Sequence, residues 1–264
     1  PVISIRTNYR FADMLMPSVE DWLSVLSKQG TFVHSMNCDI KEAPVNSEWN
    51  KKDDIFMFRG YIDGCGLSAK TNSKLAIVLK GTTDDRLNAK LIRDTNAKEI
   101  LIVDKIKNVI NSHPIPEYIK PDEDLEEYIL LDTLYENRTT KLNKNMYHKF
   151  KYIIVCPNIV ETNCILDYFS TKSLVIKVKD GYVTWVDSYL DSFDWEQYLE
   201  QPGTAPKNIS SEVKNKNCIE IDFNELDKVM NWCQNHNDAC KKIAENGFKM
   251  FQNITTTDIT NTIA

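Results

Sequence analysis

Glycine and basic side chains are concentrated in one stretch of the chain, Phe56 to Ala76, which reads FMFRGYIDGCGLSAKTNSKLA. Its three glycines are Gly60, Gly64 and Gly66. Glycines let the backbone turn tightly, and main-chain amides at the start of a following helix attract negative charge. With Arg59 and Lys74 nearby, such a turn would suit a diphosphate. The glycine spacing matches neither a P-loop nor the dinucleotide fingerprint, so a purely structural turn is the alternative interpretation.

A turn of this kind needs a strand before it and a helix after it. Ile55 to Phe58 is apolar enough for the end of a buried strand, and Lys70 to Leu79 has helical spacing. Similar apolar runs alternate with helical patterns along the chain, which favours an α/β fold with a mostly parallel sheet. Strands are predicted at Val2 to Ile5, Ile55 to Phe58, Ile100 to Val103, Tyr152 to Cys156, Leu174 to Val178 and Cys218 to Ile221. Helices are predicted at Ser18 to Gln29, Ser68 to Lys80, Ile159 to Ser170 and Phe223 to Asn253, the last with a break at Asn235 to Asn237.

The glycine-rich stretch resembles the FRG or WRG segment of glycosyltransferase family 90, the capsule, lipopolysaccharide and protein O-glycosylation group. The common form of that segment is WRGSxTGCGxTxxTNxRxKLA. This chain departs from it at Tyr61, where the family has serine, and at Asp63, where it has threonine. Two hydroxyls expected near the phosphates are therefore lost or moved. The matching positions are Arg59, Gly60, Gly64, Cys65, Gly66, Thr71, Asn72 and Leu75, with Lys74 at the basic position.

Three further segments resemble the same family and occur in the family's order. Pro1 to Trp22 is similar to the segment of the protein O-glucosyltransferases that ends in DIMYP and an aromatic residue. His148 to Val178 is similar to HKYxxxIEGNDVATNLKWxxSSNSVVI. Asn217 to Asn253 is similar to the terminal HYVPIxxDLSDLxEKIxW stretch and its AxxIAxNG helix. The resemblance therefore covers nearly the whole chain.

The fold that the resemblance implies is GT-B, in which two Rossmann-like domains, each a parallel sheet with helices on both faces, border one cleft. Residues 1–50 are then the remnant of a shortened acceptor-side domain, and residues 51–250 form the nucleotide-sugar-binding domain. Residues 251–264 are a C-terminal tail. The polar stretch Asn46 to Asp54 supplies the boundary between the domains.

The resemblance also implies a donor site in the second domain. Arg59 would approach the diphosphate, helped by amides around Gly60 and Gly66. Thr162 and Asn163, at the start of a later helix, would supply further donors, although a helix cap is the alternative role for Thr162. The implied donor-binding residues are Arg59, Gly60, Gly64, Gly66, Thr71, Asn72, Lys74, Asn158, Thr162 and Asn163.

The reaction implied for such a site is an inverting transfer of a hexose or pentose from a nucleotide sugar, UDP-linked, to a hydroxyl of a glycan or protein. A carboxylate base takes the proton of the acceptor hydroxyl, while positive side chains and amides neutralise the leaving diphosphate. The UDP-sugar is then a substrate, and no cofactor or metal is expected. The paired acids at Asp84-Asp85 and Asp122-Glu123-Asp124 lie in polar segments and are predicted to be solvated.

The base itself is the point at which this chain departs most from the family. The catalytic aspartate of the protein O-glucosyltransferases belongs to an NxRD-type motif upstream of the segment that matches Pro1 to Trp22. Asp13 and Asp21 are the nearest acids; Asp13 is the candidate base, with a turn cap as its alternative role. At Cys156 the relatives have an acid that could bind a sugar hydroxyl. A second hypothesis is therefore a catalytically degenerate relative that binds a nucleotide or glycan, or depends on a partner chain.

Composition fits an ordinary globular protein, with 42% hydrophobic and 27% charged residues. The net charge of -6 argues against a nucleic-acid coat. No apolar run approaches the ~20 residues that cross a bilayer, and the start of the chain lacks a charged-then-apolar leader, so a soluble, cytoplasmic protein is expected. The seven cysteines show no zinc-site spacing and are predicted to be mostly free, buried thiols.

Overall fold

The computed structural model of the chain describes residues 3–4, 6–8, 14–15, 17, 25–26, 48–60, 69, 72–92, 144–156, 165–179, 182–198 and 209–261. The chain forms two compact units. The first consists of Pro1–Met57 and Asn143–Ala264, and the second of Phe58–Leu142. The domain boundaries expected after residues 50 and 250 stay a prediction. The strand expected at Ile100 to Val103 lies outside the described residues, as does the helix expected at Ser18 to Gln29 apart from residues 25–26.

The strands in chain order are β1 (Ile3–Ser4), β2 (Arg6–Asn8), β3 (Met14–Leu15), β4 (Asp53–Gly60), β5 (Leu87–Leu91), β6 (Phe150–Val155), β7 (Leu174–Val178), β8 (Tyr182–Thr184) and β9 (Ile219–Ile221). The α-helices are α1 (Ser73–Lys80), α2 (Ile165–Phe169), α3 (Ile209–Glu212), α4 (Leu226–Asn235), α5 (Asn237–Asn253) and α6 (Thr256–Asn261).

One five-stranded sheet carries the fold, with the strand order β5-β4-β6-β7-β9. The pairs β4 with β6, β6 with β7 and β7 with β9 are all parallel. All five residues of β7 are buried, as are the last four of β6, which is typical of parallel strands covered on both faces. The predicted α/β class with a parallel sheet is confirmed.

Aromatic and helical packing forms the core of the first unit. The Phe56 ring stacks on the Tyr152 ring of the neighbouring strand at 4.2 Å, and the Trp49 ring meets Tyr152 edge-on at 5.8 Å. Helices α2 and α5 pack on β7 and on each other. Their contact is close at Gly247, where an added Cβ would lie 2.7 Å from the Phe169 ring. The terminal helical run therefore packs against the sheet as predicted.

The long helical run is interrupted where its sequence predicts. Helix α4 ends at Asn235 and α5 begins at Asn237, with His236 between them at φ -126° and ψ 47°. The His236 amide still donates to the Cys233 carbonyl, and its own carbonyl accepts from the Cys240 amide. Cys233 and Cys240 are buried free thiols, as is Cys218, and Cys156 is buried as well.

The start of the chain also contributes strands to the first unit. Strand β2 pairs with β8 in antiparallel register, with Arg6 opposite Thr184, while β1 pairs with β3 in parallel. Among the described residues, no helix is long and apolar enough to cross a membrane.

In the second unit, β5 was not predicted from the sequence. Its residues alternate between buried and exposed in a short LNAKL run that follows a polar turn, and such a run carries a weak apolar signal. Helix α1 packs against β5, and an added Cβ at Gly81 would lie 2.9 Å from the Ala89 Cβ. Beyond β5, the Ile92 amide donates to the Gly60 carbonyl over 2.8 Å.

Candidate functional site

The structure describes four of the implied donor-site residues, and all four belong to the second unit: Arg59, Gly60, Asn72 and Lys74. The remaining members, together with the candidate base, lie outside the described residues; they are Asp13, Gly64, Gly66, Thr71, Asn158, Thr162 and Asn163. Their roles stay a prediction.

Asn72 fixes the start of the helix that follows the glycine-rich stretch. Its side-chain oxygen accepts from the Lys74 amide at 3.0 Å and from the Leu75 amide at 3.4 Å. Because asparagine is among the strongest N-cap residues, α1 begins at Ser73 and not at Ser68 as the spacing alone predicted. The strand and the helix predicted on either side of the glycines are both present.

The first turn of α1 is suited to negative charge. It contains no acidic residue, and it contains Lys74, which is 3% exposed. The amino end of a helix carries roughly half a positive charge, and a basic side chain in the same turn adds to its attraction for an anion. The opposite end of α1 carries Lys80, which lies 3.8 Å from Asp84.

Arg59 is buried, and its guanidinium is bound inside the second unit. One terminal nitrogen, Nη1, donates to the Phe58 and Asn88 carbonyl oxygens, both at 2.7 Å. The other, Nη2, donates to Asn88 Oδ1 at 2.8 Å. The Arg59 side chain is therefore part of the link between β4 and β5.

Gly60 ends β4 in a place where a side chain does not fit. An added Cβ would lie 2.7 Å from the Phe58 ring. The Gly60 carbonyl is held by the Ile92 amide. Packing against the Phe58 ring is therefore enough to require glycine at position 60, whether or not a ligand binds nearby.

Of the paired acids, Asp84 is bound by Arg86, Asp85 is exposed, and Asp122-Glu123-Asp124 lies outside the described residues. Asp84 accepts from Arg86 Nε at 2.9 Å and from Arg86 Nη2 at 2.7 Å. These hydrogen bonds from Arg86 lower the pKa of Asp84 to about 2. Within the described ranges, no three His, Cys, Asp or Glu side chains are grouped so as to hold a metal ion.

A buried charged cluster at the ends of β7 and β9 was missed at the level of sequence. Lys177 and Glu220 face each other in register, and Lys177 pairs with both Glu220 and Asp187. Burial alone would lower the pKa of Lys177, but the two carboxylates outweigh it and raise that pKa. The sequence features that could have indicated this cluster are a lysine within the apolar run LVIKV and a glutamate within the run CIEI.

Comparison with known proteins gives distant relatives. No known protein-family profile matches the chain. It is 23% identical over 274 residues to the uncharacterized protein 179R of Invertebrate iridescent virus 6, covering 96% of this chain and 21% of that protein. It is 22% identical over 254 residues to protein 035R of Invertebrate iridescent virus 3, covering 96% and 19%. The chain thus spans about a fifth of the length of the curated relatives that it matches.

Similar solved structures include several glycosyltransferases. Anabaena HepE in complex with UDP-glucose is 12% identical, with a TM-score of 0.40 over 95% of this chain and 53% of that one. A glycosyltransferase from Rickettsia africae has 12% identity and a TM-score of 0.42 over 81% and 47%. A UDP-forming trehalose-phosphate synthase from Burkholderia vietnamiensis has 6% identity and a TM-score of 0.42 over 95% and 49%. At these scores the similarity carries no conclusion about this chain.

Proposed function

We propose that the chain is a glycosyltransferase of the family 90 type, which transfers a sugar from a UDP-linked donor to a hydroxyl of a glycan or protein. The observation that supports this proposal is the structure on either side of the glycine-rich residues in Phe56 to Ala76, the stretch that resembles family 90. Strand β4 ends at Gly60, and the helix that follows the glycine-rich stretch is capped by Asn72 and has Lys74 in its first turn. A cationic helix start that follows a strand and a glycine-rich connection is a suitable site for a diphosphate.

The donor site of this proposal centres on the start of α1. The amides of the first turn and the Lys74 charge would attract the diphosphate, and Asn72 would hold the helix start in place. Glycines of the preceding turn would let the main chain approach the ligand. Asn158, Thr162 and Asn163 complete the set by the family resemblance.

The proposed reaction is a single displacement at the anomeric carbon. The acceptor oxygen attacks the anomeric carbon as a carboxylate takes its proton, and the bond to the diphosphate oxygen breaks, so that UDP leaves. Positive charge at the start of α1 would stabilise the departing diphosphate, which is why the proposal includes no metal. Asp13 is the candidate base within this chain.

A catalytically degenerate relative is the second candidate. Cys156 is a buried cysteine directly after β6, where family 90 has an acid, and Tyr61 and Asp63 replace two hydroxyl residues. Such a protein would bind a nucleotide or glycan without turning over the donor, or would take its base from a partner chain.

Calorimetric titration with UDP, GDP and UDP-sugars, with and without EDTA, tests the proposal. We expect saturable UDP binding that EDTA does not change, and Lys74→Gln should weaken it. The matched control is Lys80→Gln, at the opposite end of the same helix. A donor-hydrolysis assay then separates the two candidates, because only the transferase releases sugar from UDP-sugar. Absence of UDP binding would contradict the transferase and would leave, of the second candidate, only a form that does not bind UDP.

A further inference from the structure

Arg59 and Asn88 form a hydrogen-bonded pair inside the second unit. This pair determines where the Arg59 guanidinium lies relative to the proposed donor site. The guanidinium donates three times: to the carbonyl oxygens of Phe58 and Asn88 at 2.7 Å and to Asn88 Oδ1 at 2.8 Å. Both hydrogens on Nη1 are thereby donated to main-chain oxygens. Arg59 is 8% exposed, and its bond to the Phe58 carbonyl is buried, whereas Asn88 is exposed and the two bonds to it are partly buried.

The position of Asn88 shows which way the Arg59 side chain extends. Nη1 donates to the carbonyl oxygens of both Phe58 and Asn88, so the guanidinium lies beside the main chains of β4 and β5. Phe58 precedes Gly60 by two residues, and Asn88 precedes Ile92, whose amide binds the Gly60 carbonyl, by four. The Arg59 side chain therefore extends back along the strands that precede the glycine-rich stretch.

A direct phosphate contact from Nη1 would have a structural cost. The nitrogen would have to leave the Phe58 and Asn88 carbonyls, and a buried carbonyl without a donor destabilises the fold. The Asn88 side chain can bind the guanidinium only through its oxygen. Arginine only donates, so the Asn88 amide must turn its oxygen toward Arg59 and its Nδ2 away.

We propose that Arg59 is a positioning residue of the donor site, which holds the end of β4 to β5 through Asn88 and whose Nη1 is not available to the diphosphate. This inference rests on the proposed UDP-sugar site. Removal of Arg59 should therefore weaken UDP binding because the end of β4, which leads into the glycine-rich stretch, is displaced. Asn88, which belongs to no motif of the family-like stretch, becomes the residue through which Arg59 acts.

A double-mutant cycle distinguishes positioning from contact. Calorimetry would measure UDP and uridine affinities for the wild type, Arg59→Lys, Asn88→Ala and the double variant. We expect Asn88→Ala and Arg59→Lys each to weaken UDP binding by roughly three- to tenfold, which corresponds to the loss of one hydrogen bond, and the double variant to be no weaker than Arg59→Lys alone. Uridine binding should fall by the same factor, because the whole turn is displaced.

Two further measurements complete the test. Asn88→Asp keeps an acceptor for the guanidinium and should retain wild-type UDP affinity. Hydrogen exchange at the Ile92 amide should become faster in Asn88→Ala and Arg59→Lys, a change that needs no ligand.

Other results would overturn the inference. Unchanged UDP affinity in Asn88→Ala excludes an action through Asn88. A loss in Arg59→Lys confined to UDP, with uridine unaffected, shows a direct diphosphate contact. If the wild type binds neither UDP nor uridine, the proposed function itself fails, whereas faster Ile92 exchange in the variants would still report the Arg59–Asn88 link.

Discussion

The Lys52 ammonium donates a hydrogen bond to the His148 carbonyl oxygen over 2.7 Å. The same nitrogen donates to the Thr171 carbonyl at 2.9 Å and to Ser173 Oγ at 3.2 Å. Lys52 directly precedes β4, and its partners precede β6 and β7, so one side chain connects the starts of three neighbouring strands. Lys52 is 5% exposed, and all three of its acceptors are uncharged.

Replacing Lys52 with methionine should change the pH dependence of stability. Burial, with a smaller effect of the nearby Lys172 charge, lowers the pKa of Lys52 from 10.5 to about 8. Between these pH values the unfolded chain keeps a proton that the folded chain has lost, so the free energy of unfolding rises with pH. Urea unfolding should show the wild type gaining about 3 kcal/mol relative to Lys52→Met over this range, with no change in the difference below pH 8.

The control for this experiment is Lys51→Met. The Lys51 side chain is 57% exposed and pairs with Glu48 at the surface, so its removal should alter stability by less than about 1 kcal/mol at every pH. A constant difference between wild type and Lys52→Met from neutral to alkaline pH would contradict the lowered pKa.

Lys177→Met should destabilise the first unit by about 3 kcal/mol, measured by urea unfolding at neutral pH. The substitution leaves the largely buried carboxylates of Asp187 and Glu220 without their shared cation, and an uncompensated buried charge is costly. Lys216→Met removes a cation from the exposed pair with Asp191 and should cost less than about 1 kcal/mol. Equal losses in the two variants would argue against a special role for the buried cluster.

Gly247→Ala should destabilise the protein although alanine favours helices. The new Cβ would lie 2.7 Å from the Phe169 ring and 2.8 Å from the Asn217 carbonyl oxygen, and the carbonyl belongs to the main chain. Overpacking of about 1 to 3 kcal/mol should outweigh the gain of about 1 kcal/mol in helix propensity. Thermal unfolding would show this, with Glu245→Ala on the exposed side of α5 as a near-neutral reference. A raised melting temperature for Gly247→Ala would refute the tight contact.

Two substitutions at Asn72 separate helix capping from ligand binding. Asn72→Ala should cost about 1 kcal/mol in thermal unfolding, because the Lys74 and Leu75 amides lose their acceptor. Asn72→Asp keeps the cap but adds negative charge beside the proposed diphosphate, so stability should be retained while UDP affinity falls. Wild-type UDP affinity in Asn72→Asp would place the anion elsewhere.

Parts of this structure could be predicted where a local pattern determines the outcome. Strand β7 has the bounds that its apolar run indicates, Leu174 to Val178, and the helix break falls at the polar cluster around His236. Strand β5 was missed because its alternating run is only five residues long, with three apolar residues that include one alanine, so its apolar signal is weak.

The electrostatic features were harder to predict, because pairing between strands determines them. Nothing local to Lys177 indicates that Glu220 faces it; the register of β7 on β9 does. Lys52 was assigned to a polar connection, and its burial depends on carbonyls about a hundred residues away in sequence. At the candidate site, the helix and its basic residue Lys74 were predicted from the motif, although the helix begins at Ser73 and not at Ser68. The hydrogen bonds between Arg59 and Asn88 could not be predicted, because β5 was not.

The pairing of β2 with β8 has a consequence for biosynthesis. A ribosome releases β2 before β8, and β8 emerges only after β6 and β7 have been made. Phe58–Leu142, encoded in between, can thus leave the exit tunnel and begin to fold while the first unit still lacks β6, β7, β8 and β9. During that interval β2 is exposed to chaperones, and the late pairing of β2 with β8 should be a slow step of maturation.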